Sequence, residues 1–138
     1  MFHNNVKLKC SPLCGSMVFF AVLSGCSLLE VKGSEDVVRE RAQERVDALL
    51  NKDLKKAYEY ATPALRGIET VEQYHARVAG AALWTRGKVL DVSCAENSCD
   101  VKLSIGYKIL RFGLAESERV FEEKWLKVDG QWWLYHKI

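Results

Sequence analysis

Apolar residues recur every three or four positions through the first half of the chain and every second position through the rest. Val38, Ala42, Val46, Leu49 and Leu50 keep helical spacing, while Arg39, Glu40, Arg41, Glu44 and Arg45 take much of the remaining surface. That is the pattern of an amphipathic helix with one face toward a core. Ser34 is placed to cap it, with Glu35 and Asp36 in the first turn, where the helix dipole favours acids. Asn51-Lys52-Asp53 interrupts the pattern, and a shorter helix follows with Leu54, Ala57, Tyr58 and Ala61 on one side. Thr62-Pro63 is expected to end it, because the residue before proline avoids helical backbone angles. After Arg66-Gly67, Thr70-Val71-Glu72-Gln73 forms a capping box that opens a third helix, with Val71, Tyr74, Val78 and Ala81 or Ala82 as its apolar positions.

From Lys88 the period becomes two. Leu90, Val92 and Cys94 are expected on one side of a first strand, and Val101, Leu103, Ile105, Tyr107 and Ile109 on one face of a second. Residues 111–116 connect to a third strand at 117–128, Asp129-Gly130 is a tight hairpin turn, and a fourth strand runs over 131–138. Helices first and strands afterwards, joined by short connections, predict an α+β fold with helices packed on a curved antiparallel four-stranded meander.

Ahead of this domain, the run from Met17 to Leu23 is strictly apolar, and Lys7 and Lys9 are the only formal charges before it. Seven apolar residues suit a signal peptide and fall well short of the roughly 20 that span a bilayer. Leu23-Ser24-Gly25-Cys26 resembles the lipobox of bacterial lipoprotein precursors. The resemblance implies cleavage after residue 25, lipid on Cys26, and a membrane partner reached through that anchor. A plain secretory signal or an uncleaved anchor are the rival readings. In the Gram-negative pattern an aspartate after the cysteine favours the inner membrane. Ser27 stands there, so the outer membrane facing the periplasm is expected. The division is then leader 1–25, lipidated tether 26–34 and a single domain over 35–138.

Removing the leader changes the charge. Loss of Lys7 and Lys9 leaves 18 basic residues against 18 acidic ones, so nothing in the balance favours nucleic acid, which binds through clustered cations. Of five cysteines, Cys10 and Cys14 leave with the leader and Cys26 takes lipid. Cys94 and Cys99 remain, flanking a four-residue loop between two strand patterns, which predicts a disulfide across a hairpin neck. Their spacing does not suit a metal pair, and the two remaining histidines, His75 and His136, lie far apart. No metal or cofactor is expected.

The sequences Arg41-Ala42-Gln43-Glu44-Arg45-Val46-Asp47-Ala48-Leu49-Leu50, Asp53-Leu54-Lys55-Lys56-Ala57-Tyr58-Glu59-Tyr60, Glu122-Glu123-Lys124-Trp125 and Asp129-Gly130-Gln131-Trp132-Trp133-Leu134 resemble the nuclear transport factor 2-like, or SnoaL-like, superfamily. That resemblance covers roughly residues 35–138. It implies a cystatin- or nuclear transport factor 2-like cone, in which helices fill the concave side of a curved sheet. Enzymes of the superfamily place an acid–base Asp or His, often with a Tyr donor, inside the cone. No such pattern matches this chain residue by residue, and fold alone does not license a reaction.

Three residues are candidates for chemistry. Glu123 shares a strand face with Phe121 and Trp125; were that face concave, a shielded carboxylate would suit a general base. Val120, Leu126 and Val128 give the opposite face an equal apolar claim, so the expectation is an outward, solvated Glu123. Tyr107 could donate to a ligand but is expected to fill the core. His136 shares a face with Trp132 and Leu134 and is expected at an exposed edge. Trp132 and Trp133 must point to opposite faces, leaving one for the core and the other for a helix, a partner or a dimer interface. The expected role is non-enzymatic: binding an apolar small molecule in the cone, or an envelope protein on the sheet's outer face. A small isomerase- or cyclase-like enzyme using Glu123 with Tyr107 or His136 is the alternative, and a homodimer through the sheet is a third reading.

Overall fold

The computed structural model describes residues 32–109 and 115–137. The expected leader, Cys26 and the tether up to residue 31 lie outside the described residues. Among the described residues, four helices, α1 (Ser34–Leu50), α2 (Leu54–Tyr58), α3 (Pro63–Ile68) and α4 (Val71–Arg77), precede a 3₁₀ segment (Ala79–Leu83). Four strands follow: β1 (Trp84–Cys94), β2 (Ser98–Ile109), β3 (Ala115–Val128) and β4 (Gln131–Tyr135). The sheet is an antiparallel meander in the order β1-β2-β3-β4. The architecture is an α+β cone with the helices on its concave side.

The core explains the layering. Val38, Ala42 and Val46 of α1 pack against Val89, Val92, Val101, Leu103, Ile105 and Trp125 of the sheet. A second cluster, with Leu49, Ala57, Leu65 and Tyr74 among its members, fastens the short helices to the far side of α1. Full burial of each large aliphatic side chain stabilises by about 2 kcal/mol, so α1 is held mainly by its apolar stripe. At Gly87 the helix approaches the sheet so closely that a Cβ would overlap Val46 Cγ1 and press on Ile105 Cδ1.

Several expectations are corrected locally. Gly33, not Ser34, is the N-cap of α1. Thr62-Pro63 does not end a helix; it opens α3, with Thr62 Oγ1 accepting from Leu65 N and Pro63 in the first turn, where its missing N–H costs nothing. The preceding residues run alongside β4 instead: Ala61 bridges Leu134, and Leu134 N donates to Tyr60 O at 2.8 Å. This covers what would be a free sheet edge. The first strand starts at Trp84 rather than Lys88, and a register shift between Val89 and Asp91 turns Leu90 outward, 49 % exposed. Such a bulge breaks the period of two on which the expected face of Leu90 rested.

The capping box at Thr70 and Gln73 forms. So does the Asp129-Gly130 turn, with φ of 51° and 77°, the left-handed pair that suits a two-residue hairpin. Cys94 pairs with Cys99 across the β1–β2 neck and is bonded to it.

Candidate functional site

Strand alternation puts Ser117, Arg119, Phe121, Glu123 and Trp125 on the concave face of β3, opposite Tyr107, Ile105, Leu103, Val101 and Cys99 of β2. Burial runs from complete at Trp125 to 37 % exposure at Phe121, so the cone is closed at one end and open at the other. Glu123 is therefore on the inner face. The expectation of an outward Glu123 fails because Trp125, two residues along on the same face, is fully buried, whereas on the opposite face Val120 is 55 % exposed, Val128 is exposed and Leu126 is only half-buried. Tertiary packing of α1 chose between two nearly equivalent faces.

What makes an inward carboxylate tolerable is Arg45. Its Nη1 donates to Glu123 Oε1, and both side chains are largely withdrawn from solvent. Glu123 Oε2 accepts from Trp125 Nε1 at 3.3 Å, so both carboxylate oxygens are occupied. Burial works against the charge on Arg45, but Glu123 and the adjacent Tyr74 hydroxyl outweigh it and hold the guanidinium's pKa above its ordinary value. Arg45 Nε finds no hydrogen-bond partner among the described residues. Sequence reading had assigned Arg45 to the solvated surface. The missed signal was its position on the stripe Val38, Ala42, Arg45, Leu49, which keeps strict helical spacing.

Above this ion pair lies an open cavity of about 450 Å³, within the range of small-molecule sites. Leu49, Val78 and Leu83 form its helical wall, and Trp84, Leu103 and Phe121 its sheet wall. The Trp84 and Phe121 rings lie 6.3 Å apart, centroid to centroid. Arg45 and Glu123 also line the cavity, as do Glu122, half-buried Tyr107 and exposed Arg119, the last two lying beyond Phe121 toward the open end of the face. Tyr107 is half-buried on the wall, neither wholly in the core nor free.

His136 is not among the lining residues. It stacks on Tyr74 at 5.5 Å and is half-buried rather than an exposed edge residue. Burial, with Arg45 and Arg77 adding in the same direction, pushes its pKa down to about 4. The imidazole is neutral at ordinary pH. His75 is exposed on α4.

Trp132 is buried with Leu134 in the core, which removes it as an interface residue. Trp133 is half-buried on the other side. Arg41 and Arg66 lie over its ring at 5.3 and 4.9 Å, and its Nε1 donates to Val128 O at 3.3 Å.

No protein family matches the chain by sequence, and no curated protein does. Solved structures do. A SEC-C motif-containing protein from Psychrobacter arcticus superposes with a TM-score of 0.58 at 11% identity, over 74% of this chain and 60% of the other; this chain thus spans about three fifths of that protein's length. A SEC-C motif-containing protein from Rhodopseudomonas palustris gives 0.54 at 17% identity, over 70% and 73% of the two chains. A proposed dehydratase of the NTF2-like family from Streptomyces avermitilis gives 0.50 at 13% identity, over 72% and 90%. At these identities the likeness concerns the fold and not the chemistry. Helices on the concave side of a four-stranded antiparallel meander, together with these superpositions, make this an α+β cone of the NTF2-like fold.

Proposed function

We propose that this chain is a lipid-anchored protein of the bacterial cell envelope, exposed to the periplasm from the outer membrane, whose cone binds an apolar small molecule without transforming it. The observation that carries the binding role is the open cavity between α1, the 3₁₀ segment and the sheet: the cone is not plugged by its own side chains. Acid–base chemistry is less well supported. It would need Glu123, Tyr107 and a histidine converging on one space, yet Glu123 is engaged by Arg45 and Trp125, and His136 does not line the cavity. A protein-docking role through Trp133 is weakened by the two guanidiniums that occupy its ring.

The anchor rests on the lipobox resemblance at Cys26. Two measurements test the whole reading. In a Gram-negative host fed labelled palmitate, the chain should take up label and Cys26→Ser should not. Native mass spectrometry of protein purified from its own host should show a retained small molecule that Val78→Trp, which fills the cavity from a half-buried position, sheds. Unlabelled wild-type protein would end the anchoring claim, and protein that carries no ligand in either form would end the binding claim.

A further inference from the structure

We infer that the cavity's ligand is an amphipathic monoanion, an apolar body of fatty-acid size ending in a carboxylate, with the body between the Leu103 and Val78 walls and the carboxylate at the mouth on Arg119. This deepens the binding reading above and rests on it.

Glu123 and Arg45 neutralise each other below the cavity. Arg77, at the helical rim, is taken by Glu69, whose Oε2 accepts from its Nε at 3.1 Å. Arg119 makes no ion pair among the described residues. Of the acids beside it on β3, strand alternation sends Glu118 to the convex side, whereas Glu122, although out of phase with Arg119, still borders the cavity. Glu118 accepts from Arg86 Nη2 at 2.9 Å and from Ser104 Oγ at 2.6 Å, and Glu122 lies in register with Lys102 rather than with a concave-face residue. Among the described residues, Arg119 is thus the cation on the inner face with no acid bonded to it, and it lies toward the open end.

The position of that cation sets the ligand's orientation. A carboxylate at the mouth keeps part of its hydration while gaining a charge-assisted hydrogen bond. Placed deep, the same group would meet Glu123 beside a guanidinium already neutralised, and burial would leave a net negative charge unpaired. The apolar end therefore goes inward against Leu49, Val78, Leu103 and Phe121, where its transfer from water is favourable. A cation is disfavoured at either end.

Equilibrium dialysis of the full chain in amphipol, with radiolabelled laurate and dodecanol as probes, tests this. Wild-type protein should bind laurate about tenfold more tightly than dodecanol, one charge-assisted hydrogen bond in a partly hydrated position. Arg119→Gln should bring laurate to the dodecanol level and leave dodecanol unchanged. Arg119→Glu should prefer dodecylammonium, and Val78→Trp should weaken every probe. Arg119 is exposed, so its variants should unfold at the wild-type temperature. Equal binding of laurate and dodecanol, insensitive to Arg119 but lost in Val78→Trp, overturns the headgroup assignment and keeps the pocket. Binding of neither probe, or binding that Val78→Trp leaves intact, overturns the pocket itself.

Discussion

Arg45 and Glu123 illustrate how a residue's neighbours, rather than its type, decide its consequences. Each would be costly alone at that depth; together they form a nearly neutral unit beneath the cavity. Glu123→Leu should cost about 3 kcal/mol in urea unfolding, because it leaves a buried guanidinium without its counter-charge. The double variant Arg45→Met, Glu123→Leu should recover most of that loss; a double variant as unstable as the single would show that the pair contributes through something other than charge. His136 gives a pH dependence with a definite sign. Its pKa is about 4 in the folded state, against an ordinary 6.5. Between those values the unfolded chain binds a proton that the folded chain refuses, so stability falls as pH drops from about 6.5 toward 4 and is insensitive to this group above that window. The ring is partly exposed, which reduces the effect to about 1–2 kcal/mol. The groups around it are Arg45, Arg77, Glu69 and Tyr74. His136→Phe retains the stack on Tyr74, so its urea midpoint should fall less than wild type's between pH 7 and pH 4.5. Equal falls would assign the acid sensitivity to other residues.

At the scale of elements, what sequence made legible depended on whether a signal was local. The capping box at Thr70, the Asp129-Gly130 turn and the β1–β2 disulfide each rest on residues within a few positions of one another, and each forms where expected. A loop as short as that between Cys94 and Cys99 contributes only about 2 kcal/mol by chain entropy; its larger effect is to fix the register of the hairpin. Thr62-Pro63 was a local signal read in one sense only, since proline stops one helix and starts another equally well. The bulge at Leu90 had no local signature. Gly87 marks the closest approach of α1 to the sheet, and Gly87→Ala should destabilise by about 2 kcal/mol through overpacking against Val46 and Ile105. Thermal unfolding would show this, and Val46→Ala in the same chain should relieve part of it. Full additivity of the two changes would mean that the methyl groups never meet.

For the molecule as a whole, the core closes within residues 38–134, from Val38 on α1 to Leu134 on β4. A chain beginning at residue 32 should therefore unfold in one cooperative transition seen alike by tryptophan fluorescence and far-ultraviolet circular dichroism. Separate transitions for helices and sheet would contradict a shared core. The cavity opens where Phe121 and Arg119 of β3 stay exposed on the concave face beside the walls supplied by α1 and the 3₁₀ segment. That geometry belongs to no single element.

The order of helices and strands, the hairpin turns and the α+β class followed from the sequence, because periodicity, caps and turn residues act over a few positions and are written in the chain itself. The inward side of β3, the burial of Arg45, the stacking of His136 and the open end of the cone were decided only by the fold. Each depends on which of two comparable surfaces another element covers, and α1, some eighty residues upstream of β3, makes that choice by burying more apolar area on one side than the other.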